Sequence, residues 1–184
     1  MAKKLTKNEK YIVEQYVRYF GEAPSVAQIA EYADLGKQKL ILAQIKGEAD
    51  KIKPSTTVEI INSTYQNLFG RNADLKEINK YSKVVDADKD LPINSIVKSA
   101  AKADKAVYNN KKAVALKYAE LDGTEQLDLS KISKGNLVDL KTVVTLTDLN
   151  NAIDKLADNS GIPSSFDGKT FILTEDDNIF IGTA

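Results

Sequence analysis

Three groups of residues have types and spacings that could do chemistry. Lys98, Lys102 and Lys105 follow one another at intervals of four and three, the spacing of one helix face, and Lys111 and Lys112 come shortly after. With Arg71, such cations could hold phosphates or acidic sugars by charge and repeated hydrogen bonds; the plainer reading is a solvated helix face. Asp86, Asp88 and Asp90 occupy the first, third and fifth places of a loop, as the leading carboxylates of an EF-hand do. Leu91 stands where that loop requires glycine, however, and Val97 where it requires a bidentate glutamate. Glu175, Asp176, Asp177 and Asn178 gather oxygen donors in one turn. Calcium takes six or more oxygens, so neighbours would have to complete a site at Asp176 and Asp177.

What is missing narrows the chemistry further. The chain has no cysteine and no histidine, so disulfides, thiolate nucleophiles and the usual imidazole base and metal ligand are all absent. An enzyme would have to work with carboxylates or lysine, and the expectation is a non-enzymatic protein. Net charge is zero, but residues 1–118 carry 21 Lys and Arg against 14 Asp and Glu, and residues 119–184 carry 5 against 12. A basic front half suggests an anionic partner. Nucleic acid is not expected, because no aromatics interleave with the lysines and the charges balance overall. Neither a signal peptide nor a run of apolar residues long enough to span a bilayer is present, so membrane insertion is not expected.

The elements that would position these groups are helices. Tyr16, Phe20, Gly21, Ile29 and Tyr32 recur without a gap as Tyr65, Phe69, Gly70, Ile78 and Tyr81, 49 residues later. What repeats is apolar and glycine, so the repeat is a packing template. Each copy, near 6–53 and 56–121, reads as a long helix, a glycine stop, a short helix and another long helix. Thr6 with Glu9 and Asp74 with Glu77 form capping boxes, and Gly21 and Gly70 suit left-handed C-caps. Leu35 to Lys51 reads as a helix with Leu40, Ile41, Ile45 and Ala49 inward; Val58 and Leu75 are assigned inward in the second copy. Ile93 to Tyr108 and Lys111 to Leu121 read as separate helices. A short helix near Gly135 to Leu140 and one from a Thr147 cap to Leu156 complete the helical part, residues 1–160. Residues 161–184 alternate apolar and polar residues, the language of strands. They read as a linker and the start of a truncated β-roll or β-helix domain. The fold class is all-α, a multi-helix bundle with two copies of a helix–short helix–helix unit plus a short C-terminal β segment.

The stretch from Tyr65 to Tyr81, with Leu68-Phe69-Gly70-Arg71 and Ala73-Asp74, resembles the helical repeat of unknown function found near the N-termini of bacterial type I secreted proteins. It departs from that pattern at Glu77-Ile78, where Gly-Leu is usual, and at Tyr81-Ser82, where Tyr-Trp is usual. Asn110 to Ala119 resembles the helix that follows, and Phe171–Thr174 with Asp177–Ala184 resembles the entry into a calcium-binding β-roll. Together they resemble the N-terminal helical domain of Gram-negative RTX-type S-layer proteins of the Caulobacter kind.

That resemblance implies a secreted cell-surface protein exported by a type I system. Its helical domain would anchor the lattice to lipopolysaccharide O-antigen. Contacts to neighbouring S-layer subunits, and Ca2+ as the cofactor, belong chiefly to the β-rich part. Arg71, Lys98, Lys102, Lys105, Lys111 and Lys112 are then the candidate polysaccharide contacts. Asp86, Asp88, Asp90, Asp176 and Asp177 are the candidate calcium ligands. The alternatives left open are a spacer in a secreted adhesin or hydrolase and an intracellular helical scaffold.

Overall fold

The helix starts are written as capping boxes. Thr6 with Glu9, Ser25 with Gln28, Thr56 with Glu59 and Asp74 with Glu77 each exchange side-chain-to-backbone hydrogen bonds in both directions, which satisfies donors the first turn leaves orphaned. They open α1 (Lys7–Phe20), α2 (Val26–Asp34), α4 (Thr57–Phe69) and α5 (Leu75–Val85) of a computed structural model that describes residues 3–86 and 90–158. The remaining helices are α3 (Gln38–Lys51), α6 (Ile93–Ser99), α7 (Lys102–Glu120) and α8 (Leu146–Asp158). Two-residue strands, β1 (Glu22–Ala23) and β2 (Leu127–Asp128), pair antiparallel, Glu22 opposite Asp128. The all-α architecture thus holds, with a small strand pair that the sequence pattern did not announce. Residues 161–184, read as strand-forming, lie outside the described residues.

The repeat is visible as packing. In the first copy the Tyr16 ring lies 4.4 Å from Phe20 and 6.2 Å from Tyr32. In the second, Tyr65 lies 5.5 Å from Phe69 and 6.4 Å from Tyr81. All but Phe20 are fully buried, in one apolar cluster running from Leu5 to Leu156. Both glycine stops are left-handed, at φ 72° and 64°. Gly21 lies so close to α4 that an added Cβ would stand 2.8 Å from the Asn67 side-chain oxygen. Gly21→Ala is therefore expected to cost about 1–2 kcal/mol in chemical denaturation, from the left-handed backbone alone, and to disturb the bond from Asn67 Nδ2 to the Tyr19 carbonyl.

Several helix readings need correction. Ile93 to Tyr108 is not one helix: the chain is extended at Ala100 and Ala101, and α7 then runs unbroken through Tyr108 and Lys111 to Glu120. Alanines favour helix, but tertiary bonds from Asp104 and Lys111 fix where α7 starts and how it faces, and these outweigh propensity. Leu35 caps α2, and the left-handed Gly36 separates it from α3. Leu40, Val58 and Leu75, assigned inward, are exposed; the core-facing stripes are carried by Ile41 and Ile45, Ile61 and Tyr65, and Tyr81. The Gly135–Leu140 segment is a turn followed by a 3-10 turn at Leu140–Thr142. The cap of α8 is Thr145, whose hydroxyl accepts from the Asp148 amide while the Asp148 carboxylate accepts from the Thr145 amide; it is not Thr147.

Helix α7 is shared between the copies. The first copy packs α1 on α2 and α3, whereas α4 packs equally on α1, α5 and α7, and α1 also packs on α7. The irregular strap from 124 to 145 is tied to α7 by Asn110, whose amide donates to the Val138 carbonyl and accepts from its N–H.

Candidate functional site

The six candidate polysaccharide contacts are not brought together as one face. Lys98 lies in the last turn of α6, while Lys102 and Lys105 belong to α7 across the extended junction, so the common helix face inferred from their spacing does not exist. All three are exposed. Lys112 sits over the Tyr108 ring, its Nζ 5.6 Å from the centroid. Lys111 is fully buried: its Nζ donates to the carbonyls of Gln66 at 2.8 Å and Asn67 at 3.1 Å, at the C-terminal end of α4. It offers no surface to a ligand. Burial pushes its ammonium down to about 8, against a smaller upward pull from Asp128.

Arg71 is equally committed. Nε and Nη2 donate to the two Asp104 oxygens at 3.0 and 2.7 Å, and Nη1 and Nη2 donate to Glu77 at 2.8 and 2.9 Å. Nη1 also reaches the Asn72 carbonyl at 2.8 Å. A guanidinium has five N–H donors, and all are used. The group also lies 5.1 Å from the Tyr65 ring and 5.9 Å from Phe69. In the 400 Å³ hollow it lines with Asp104, Glu77 and Tyr81, Arg71 thus has no donor left for a ligand.

Of the carboxylates proposed for calcium, two lie among the described residues. Asp86 ends α5 and accepts from the Thr57 hydroxyl at 2.6 Å, while Asp90 pairs with Lys46 of α3. Asp88, Asp176 and Asp177 lie outside the described residues. Among the described residues no three metal-ligating side chains converge.

The concave surface lies elsewhere, along the seam where α1, α3 and α4 meet the start of α6. One cavity, of about 520 Å³, is lined by Tyr11, Glu14, Gln15, Arg18 and Tyr19 of α1, by Leu42 and Lys46 of α3, and by residues 90–94. The second, of about 180 Å³, is lined by Ile60, Ser63, Thr64 and Asn67 of α4, the end of α3 and Val85. Arg18, Tyr19, Asp90, Leu91 and Ile93 line both, so they are neighbours along one groove. The larger falls within the ~300–1,000 Å³ usual for small-molecule sites, and tyrosine and aliphatic side chains share its wall with Glu14, Gln15, Arg18, Lys46, Asp90 and Asn94.

Its arginine is held firmly. Arg18 donates through Nε to the Tyr108 hydroxyl at 2.8 Å, through Nη1 to Asn94 Oδ1 at 2.8 Å and through Nη2 to Glu14 at 2.6 Å. Tyr108 donates to the same Glu14 oxygen at 3.1 Å. Burial, the largest influence, pushes the Tyr108 hydroxyl up to about 12 despite Arg18. Burial likewise raises Tyr19, with Lys46 and Asp90 acting on it in opposite directions. Tyr19 therefore stays a neutral phenol, an apolar ring with a hydroxyl that can donate or accept. Spacing alone did not reveal this groove, because its residues come from five helices. The available signal was that Tyr11, Arg18 and Tyr19 are large polar or aromatic residues beside the core stripe of α1.

Comparison of the chain with protein-family models, with curated proteins and with solved structures gave no match.

Proposed function

We propose that the chain is a non-catalytic saccharide-binding module that holds a secreted surface protein, an S-layer subunit of the kind its repeat resembles, on the polysaccharide outside a Gram-negative cell. The observation that carries this reading is the seam groove. Half-buried tyrosine rings form its wall, and a fixed arginine with an asparagine supplies planar hydrogen-bonding groups beside them. Rings suit the C–H faces of a sugar, and Arg and Asn suit its hydroxyls. Of its five donors Arg18 spends three within the described residues, which leaves two N–H groups. The reading keeps the surface-anchoring role and moves the contact site from the lysines of α6 and α7 to this groove. Calcium enters the proposal only through the β-rich part that the C-terminal sequence resembles, and the lattice contacts with neighbouring subunits belong there too.

The test is retention of the purified chain on immobilised lipopolysaccharide, with calcium present. Retention on smooth lipopolysaccharide, and loss of retention when the O-polysaccharide is absent, is the expected pattern. Equal retention on both, or none on either, would leave the spacer role in an adhesin or hydrolase as the better account.

A further inference from the structure

The two cavities of the groove stand in the same relation as the two sequence repeats. Tyr11, Glu14, Gln15 and Arg18 line the first; shifted by the 49-residue repeat they become Ile60, Ser63, Thr64 and Asn67, and those four line the second. Each copy therefore turns the same face of its leading helix to a cavity, and the cavities share Arg18, Tyr19 and Asp90 between them. The repeat has placed two hollows next to each other, corresponding in position though of unequal size. A ligand that fits both is one whose own units repeat.

The charge of the groove narrows the class. Its cations are Arg18, Lys46 and Lys53, and its anions are Glu14, Asp50 and Asp90, so the walls balance at three against three. Arg18 is paired with Glu14, and Lys46 with Asp90. An anionic unit would meet carboxylates as often as cations, and most of the cations are already neutralised. Among the described residues, the one buried polar side chain on the walls is an amide. Gln15 is 5% exposed, yet among the described residues its side chain makes no hydrogen bond. No sealed, unpaired side-chain nitrogen or oxygen occurs among those residues, so the Gln15 amide opens onto space, and the space beside it is the larger cavity. An amide that meets the cavity and no protein group keeps both its donor and its acceptor free for a ligand there. Ser63, on the wall of the smaller cavity, likewise has its hydroxyl unengaged among the described residues.

We infer that the groove holds two successive units of a neutral, hydroxyl-bearing polysaccharide, one in each cavity, with Gln15 selecting the unit in the larger. The inference rests on the saccharide-binding reading above and replaces the acidic or phosphorylated ligand that the basic front half of the sequence suggested. A net-positive half-chain and a charge-balanced groove are compatible because Lys98, Lys102 and Lys105 do not line either cavity.

The experiment is calorimetric titration of the purified chain with size-fractionated neutral O-polysaccharide fragments of one, two and four sugars, and with uronate oligomers of the same lengths. Affinity should rise at least tenfold from one neutral sugar to two and change less than threefold from two to four, with uronates weaker throughout. Gln15→Leu should lose at least tenfold on the two-unit fragment while its thermal midpoint stays equal or rises, since it replaces an amide bonded to no described protein group with an apolar side chain of similar size. Ser63→Ala should lose several-fold on two units and nothing on one. One unit binding as tightly as two, uronates binding more tightly, or Gln15→Leu binding as wild type would each overturn the inference and leave the saccharide-binding reading standing. Binding of no saccharide of any length or charge would overturn both.

Discussion

Lys111→Ala lowers the thermal midpoint by roughly 10 °C, the largest single effect expected from a side chain outside the apolar core. Truncating a fully buried long side chain to alanine costs about 2–5 kcal/mol through the cavity it leaves. The Gln66 and Asn67 carbonyls lose a charged donor, a bond of about 1.5–3 kcal/mol. Against this, the mutation removes an ammonium that burial disfavours. A net loss of about 3 kcal/mol corresponds to a drop near 10 °C for a chain of this size.

The pH dependence identifies the cause. The folded Lys111 titrates at about 8 and the unfolded side chain at 10.5. Between these values the unfolded state binds more protons, so this group makes stability rise with pH, starting near pH 8. Above about pH 10 the trend reverses, because Tyr65, Tyr108 and Tyr32 are held neutral in the fold by burial and ionise once unfolded. Chemical denaturation should therefore give maximal stability near pH 10. Lys111→Met, which keeps the bulk and removes the charge, should lose the rise between 8 and 10 and keep the fall above it. A wild-type profile flat from pH 8 to 10 would show that Lys111 is not buried as a cation.

Lys111 also shows how far the sequence could be read. Val107, Lys111, Val114 and Tyr118 are spaced four, three and four, so the lysine stands on the buried stripe of its helix. That periodicity was available, but a helix break placed between Tyr108 and Lys111, beside a run of lysines, hid it. The repeat was legible for a different reason. Its glycine stops, capping boxes and aromatic anchors are local devices, each fixed by a few neighbouring residues, and the structure keeps them in both copies. Leu40, Val58 and Leu75 were misplaced because an apolar residue at a helix edge obeys the same spacing as one at its centre; only the neighbours decide. The groove was hidden most completely. Its walls come from separate helices, and the correspondence of Tyr11, Glu14, Gln15 and Arg18 with Ile60, Ser63, Thr64 and Asn67 does not show in the residue types, none of which is identical. Only the positions repeat, and it took packing to show that those positions face open space.

Arg71 is one of the positions at which the two copies reverse charge; its counterpart is Glu22. Glu22 is in the strand pair facing Asp128, and burial, with that neighbouring carboxylate adding to it, holds its carboxyl above the usual range. Arg71, by contrast, joins three elements. It forks to Glu77 of α5, forks to Asp104 in the first turn of α7, and stacks on the Tyr65 and Phe69 rings of α4. Glu77 and Asp104 hold the guanidinium still more firmly protonated than an ordinary arginine. Removing it leaves two carboxylates facing each other, one of them buried. Breaking a buried pair by deleting one partner costs about 3–5 kcal/mol. Arg71 and Glu77 are partly exposed, and solvent screening brings the expected loss for Arg71→Ala to roughly 2–3 kcal/mol. Arg71→Lys should recover less than half of that, because an ammonium cannot serve two forks at once. A double-mutant cycle with Asp104→Asn should return a coupling above about 1 kcal/mol. The decisive comparison is between stability and binding. Well below its midpoint, Arg71→Ala should bind saccharide as wild type does, since none of its donors is spare and it lines neither groove cavity. Gln15→Leu should do the reverse. If Arg71→Ala instead lost binding with its stability intact, Arg71 would be a ligand contact, and the site would lie in the second repeat rather than along the seam.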